Sequence, residues 1–180
     1  MPVIDELLER ARAAWHGGPV PDGALPAGVR PAEIVSGASP TLHIAVVACM
    51  DARLDPVAVL GLRPGEAHIL RNAGGSVTND MIRSLAVSQR RLGTRAVMLI
   101  HHTGCGMMTL TDDGFRAELQ EDAGTAPTFA IESFTDLEAD VRQSILRVRQ
   151  SPFLPHRDQV RGFVYDVDDG SLREVVVDEG

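Results

Sequence analysis

Three short apolar runs, His43–Ala48, Ala67–Arg71 and Ala96–His101, are separated by stretches of helical character, and this alternation constrains the chain more than any other feature. Strands that alternate with helices pair in parallel, because each helix must carry the chain back to the edge where the previous strand began. The expected fold class is therefore α/β, with a mostly parallel central β-sheet flanked by helices. The clearest crossover is Asn79–Leu92, where Ile82, Leu85, Ala86 and Gln89 fall on neighbouring turns and Gly93 stands just past the end. Helices are also expected over Thr111–Glu121 and Asp136–Gln150, the second with Leu137, Val141, Ser144, Ile145 and Val148 on one stripe and Pro152 beyond it. Gly162–Val167 and Leu172–Val177 read as a hairpin turning around Asp168-Asp169-Gly170-Ser171.

Ahead of the first strand, Leu7, Leu8, Ala11 and Trp15 recur at helical spacing within Val3–Trp15. The stretch Gly17–Pro40 then holds five of the 11 prolines and reads as an extended arm. Long segments of this kind reach for something, and the helix and arm are expected to pack on a neighbouring subunit. The division is an N-terminal helix and arm over 1–42 and an α/β unit over 43–180, a single domain overall for a chain of 180 residues. Asp5, Glu6, Glu9, Arg10 and Arg12 interrupt the N-terminus, so it resembles neither a signal peptide nor an anchor. Apolar runs such as Ile44–Met50 fall far short of the ~20 residues that cross a bilayer, and a cytoplasmic location is expected. The net charge of −8, with no lysine at all among the 17 basic residues, opposes binding to nucleic acid or anionic membrane. The expected partner is a small molecule or another protein chain.

The chemistry rests on two distant segments. Cys49 stands at the end of the first strand, and His102 with Cys105 at the end of the third. In an open parallel sheet ligands gather beyond the carboxyl ends of the strands, so the two segments can meet in one crevice. Two thiolates and an imidazole suit zinc, and three protein donors leave a fourth tetrahedral position for water. Asp51 can fill that position or hydrogen-bond to what occupies it; a pairing with Arg53 would hold the carboxylate ionised and away from the metal. The bland alternatives are a disulfide or two inert buried thiols for Cys49 and Cys105, the only two cysteines, and a surface ion pair for Asp51 and Arg53. His101 and His102 point to opposite faces of their strand, so only one of them can join a metal and the other packs behind the sheet. His16, His43, His68 and His156 have no partner at metal spacing. The Asn72-Ala73-Gly74-Gly75-Ser76 run lacks the Walker lysine, and reads as close backbone packing or a tight turn rather than a phosphate loop.

The segments Cys49-Met50-Asp51-Ala52-Arg53, Arg71-Asn72-Ala73-Gly74 and His102-Thr103-Gly104-Cys105-Gly106 resemble the β-carbonic anhydrases in order and spacing, continuously from about His43 to Met108. The resemblance implies one zinc ion per chain held by Cys49, His102 and Cys105, with Asp51 and Arg53 as a catalytic dyad that orients zinc hydroxide toward carbon dioxide. The products would be bicarbonate and a proton. It also implies a homodimer, or a dimer of dimers, with each site near the subunit interface. Ala52 and Gly104 depart from the commonest family wording without replacing any of these five residues. Two other readings keep the same site: hydrolysis of carbonyl sulfide or carbon disulfide, and a catalytically silent zinc or bicarbonate-binding protein.

Overall fold

A computed structural model describes residues 3–15 and 39–177. Helix α1 (Val3–Trp15) precedes β1 (Ile44–Cys49), the short α2 (Pro56–Val59), β2 (Ala67–Asn72), α3 (Asn79–Leu92) and β3 (Ala96–His102). Helices α4 (Asp112–Ala123) and α5 (Leu137–Gln150) and strands β4 (Val160–Tyr165) and β5 (Leu172–Val175) follow. The sheet runs β2-β1-β3-β4-β5, parallel throughout except that β5 returns antiparallel to β4. The expected α/β class is what the chain adopts.

Alternation along each strand sorts the core into two layers. Ile44, Val46, Met98, Ile100 and Phe163 face Leu54, Leu60, Leu62 and the α1 residues Ile4 and Leu7. Ala45, Val47, Val97, Leu99 and Val160 face Met81 and Leu85 of α3 and Val141, Ile145 and Val148 of α5. Buried on both sides, β1 and β3 are continuous apolar runs rather than alternating ones, as parallel central strands must be. Each fully buried aliphatic side chain contributes about 1.5–3 kcal/mol, which is why these two strands define where everything else sits.

The helices end where local chemistry stops them. Thr78 caps α3 by accepting from the Met81 amide, and Gly93 closes it in the left-handed conformation at φ 77°. Asp136 caps α5 through the Ala139 amide and Thr111 caps α4 through the Gly114 amide. Helix α1 matches the expected span and packs on the chain's own sheet. The reason is a ready-made seat: Ile4 and Leu7 are buried, Arg10 meets Glu66 at 2.9 Å, and Arg161 meets Asp5 at 2.7 Å. The arm over 16–38 lies outside the described residues.

The strand order places a topological switch between β1 and β3. The chain leaves β1 toward β2 on one side and leaves β3 toward β4 on the other, so the loops beyond their carboxyl ends part and open a crevice.

Candidate metal centre

Cys49 is the last residue of β1, His102 the last of β3, and Cys105 opens the 3-10 turn Gly106–Met108. The switch point therefore receives all three. Their donor atoms lie within 4.8 Å of one another, the two sulfurs are 3.9 Å apart, and both cysteines are free thiols. All three residues are buried. The structure thus excludes the disulfide alternative.

The imidazole is oriented for an ion. His102 Nδ1 donates to the carbonyl of Thr103 at 2.9 Å, which fixes the tautomer and leaves Nε2 as the acceptor. That Nε2 is buried and has no hydrogen-bond partner among the described residues. A bare buried imidazole nitrogen beside two thiols is costly unless something accepts its lone pair. With sulfur, nitrogen and sulfur as donors, zinc fits the set. The hydrogen bond between the two sulfurs draws the Cys49 thiol well below its ordinary range and, with burial, pushes the Cys105 thiol up.

Asp51 and Arg53 stand beside the cluster. The Asp51 carboxylate comes within 3.7 Å of His102 Nε2, yet its firm partners are on Arg53. It accepts from the Arg53 amide at 2.9 Å, from Nε at 2.9 Å and from Nη2 at 2.8 Å. These bonds, side chain first, hold the Asp51 carboxyl well below the usual carboxylate range. Arg53 Nη2 also donates to the Gly104 carbonyl at 2.9 Å.

Sequence reasoning missed one residue that shapes this geometry. Arg71, near the end of β2, donates from Nε to Cys49 O at 3.0 Å and from Nη2 to the carbonyls of Asp51 and Leu54, both at 2.7 Å. The available signal was its position: β2 pairs with β1 in register with Asn72 opposite Cys49, so an arginine one residue earlier reaches over the loop that follows Cys49.

The glycine run packs closely, as expected. Gly75 sits at φ 74°, and a Cβ there would fall 2.9 Å from the amide nitrogen of Cys49 and 3.2 Å from Ile100 O. Glycine is what lets this turn press against β1 and β3. A cavity of about 390 Å³ is lined by Asn72, Ala73, Met81, Met107 and Phe129 together with the charged Arg71, Asp80 and Glu132.

His101 points to the opposite face from His102, fully buried, with its ring 6.1 Å from that of Phe134. Its Nδ1 is 3.1 Å from Asp140 Oδ2, close but outside hydrogen-bond geometry. His43 bonds Gly93 O and His68 bonds the Ser88 hydroxyl; neither joins the cluster, nor does His156. His16 lies outside the described residues.

Comparisons with known proteins bear on the family and the fold. The family model described as carbonic anhydrase matches residues 44–129. The chain is 55% identical over 136 residues to β-carbonic anhydrase 1 of Mycobacterium tuberculosis, covering 76% of this chain and 83% of that protein. A carbon disulfide hydrolase of Saccharolobus solfataricus is 33% identical over 154 residues, covering 72% and 75%. Among solved structures, a carbonic anhydrase from Streptococcus mutans superposes with a TM-score of 0.73 at 37% identity, over 98% of this chain and 99% of that one. At 55% identity to the mycobacterial enzyme over three quarters of its own length, the chain belongs to the β-carbonic anhydrase family.

Proposed function

We propose that this protein catalyses the reversible hydration of carbon dioxide to bicarbonate and a proton, with one zinc ion held by Cys49, His102 and Cys105. The observation that carries the reading is the donor set itself: two thiols and a bare imidazole nitrogen converge within 4.8 Å, while the nearest carboxylate is held by an arginine. Bound zinc would supply the acidity that makes water a nucleophile near neutral pH.

The chain's own residues do the rest. Asp51, kept ionised by Arg53, accepts a hydrogen bond from the attacking water and so selects which lone pair meets the substrate carbon. Arg53 keeps that carboxylate engaged, so that it does not close the fourth position. A homodimer or dimer of dimers, working in the cytoplasm on carbon dioxide and bicarbonate, fits the family. One solved relative, from Sordaria macrospora, is described as tetrameric. Among the described residues no helix is long and apolar enough to cross a membrane.

The relatives named carbon disulfide hydrolases, 30–33% identical, favour a second reading on the same site, in which the same nucleophile attacks carbon disulfide or carbonyl sulfide. Stopped-flow hydration of carbon dioxide, run beside hydrolysis of both sulfur compounds on zinc-loaded protein, separates the two. The first reading expects carbon dioxide to be turned over far faster. Negligible hydration with rapid carbonyl sulfide hydrolysis would establish the second, and no turnover of any substrate would leave a silent zinc protein.

A further inference from the structure

We propose that Arg53 has a second role, as a clasp that joins the two metal-bearing loops before any metal arrives, with the Gly104 carbonyl as its second anchor. The proposal rests on the metal reading of the Cys49, His102 and Cys105 cluster.

The two loops are far apart in sequence but follow neighbouring strands of the sheet, so a cross-tie beyond the strand ends can hold them together without an ion. Each loop is separately fixed to the sheet. Arg71 holds the first by the carbonyls of Cys49, Asp51 and Leu54. The second is held at Thr103, whose amide donates to Tyr165 O at 2.9 Å and whose hydroxyl accepts from the Val167 amide at 3.1 Å. Arg53 spans the gap between them. Its Nε and Nη2 engage Asp51 in the first loop, and Nη2 reaches Gly104 O in the second, between His102 and Cys105. Gly104 adopts φ 62°, a left-handed conformation within the turn between the two ligands. A Cβ there would lie no closer than 3.7 Å to the guanidinium. Glycine thus serves the backbone angle, while its carbonyl serves the arginine. A planar guanidinium with several fixed donors can bridge two acceptors; an ammonium cannot reproduce that fork.

The clasp makes a prediction opposite in sign to that of charge alone. Removing a cation beside a divalent ion strengthens metal binding by Coulomb's law, and removing an anion weakens it. If Arg53 acts only through its charge and through Asp51, Arg53→Ala binds zinc as tightly as the parent or more tightly. If Arg53 pre-forms the site, losing it leaves the loops to be ordered at the expense of metal affinity.

The test is zinc affinity by chelator competition for the parent, Arg53→Ala, Arg53→Lys and Asp51→Ala, with far-UV circular dichroism as the control for folding. Amide hydrogen exchange is measured alongside on the metal-free proteins. The clasp expects Arg53→Ala to bind zinc roughly tenfold more weakly, the lower end of what partners behind the ligands contribute. It expects Arg53→Lys to fall short of full rescue, and Asp51→Ala, which keeps the Gly104 bond, to lose less than Arg53→Ala. Exchange should quicken in 50–54 and 103–106 of metal-free Arg53→Ala while the β1 and β3 cores stay protected. Unchanged or tighter zinc binding by Arg53→Ala, with unchanged exchange in both loops, overturns the clasp while leaving the metal reading intact. Failure of the parent itself to bind zinc overturns both, and the two failures are told apart by the parent's titration alone.

Discussion

Replacing Gly75 by alanine tests how tightly the glycine turn sets the position of Cys49. At φ 74° the new Cβ meets backbone on every side: Cys49 N at 2.9 Å, Ala48 C at 3.1 Å and Ile100 O at 3.2 Å. None of these atoms can rotate away, so β1 or the turn itself must shift. The left-handed conformation costs a residue with a Cβ about 1–2 kcal/mol, and overpacking against fixed neighbours adds about 1–3 kcal/mol. The expected loss is about 2–5 kcal/mol, a large part of the ~5–15 kcal/mol that holds an ordinary domain together. Gly124 supplies the control. It sits at φ 71° with nothing within 4 Å of its Cβ position, so Gly124→Ala bears only the conformational term. Urea denaturation of the metal-free variants reads the difference, provided the slope with denaturant is unchanged. Zinc affinity should fall for Gly75→Ala and stay unchanged for Gly124→Ala. A Gly75 variant no less stable than the Gly124 variant would refute the close-packing argument.

Other substitutions divide the proposed roles. Asp51→Ala should keep its zinc and lose most carbon dioxide turnover, read by metal analysis and stopped-flow on the same sample; full activity in that variant would dismiss the dyad. Cys105→Ser should lose zinc or bind it weakly, since a neutral alcohol is a poor substitute for thiolate. Because two thiolates cancel the charge of the ion, hydration should climb toward alkaline pH, and a profile flat down to about pH 6 would contradict the ligand assignment. Asp112, which accepts from the Ser133 hydroxyl and amide, has its carboxyl held below the ordinary value by those bonds. A depressed carboxylate stabilises fully above its unfolded pKa of about 3.9 and loses that contribution as pH falls through the folded value. The urea-midpoint gap between the parent and Asp112→Asn should therefore narrow below about pH 4, and a gap independent of pH would exclude this linkage.

Periodicity made the long elements legible. The helix at about Asn79–Leu92 was readable because its stripe and C′ glycine agree. Strand ends were harder. His43 looked like the start of β1, but it adopts φ 53°, so pairing begins at Ile44. Strand β4 was expected to run to Val167, but it stops at Tyr165 because Asp166 turns its carboxylate back to accept from the Asp168 amide. The four-residue α2 escaped notice although Asp55 caps it and Pro56 opens it; so short a helix has no period to detect. At the site, residue types and order pointed to Cys49, His102 and Cys105, since strand ends of a parallel sheet must converge. Arg71 and Gly104 were not legible in these roles, because an arginine that binds carbonyls, and a carbonyl that binds an arginine, leave no complementary charge in the sequence.

X-ray absorption at the zinc edge of the purified protein reads the proposed coordination sphere directly. The prediction is one zinc per chain with two sulfur neighbours at about 2.3 Å and nitrogen or oxygen neighbours at about 2.0–2.1 Å. A shell without sulfur, or with more sulfur than Cys49 and Cys105 can supply, would contradict it.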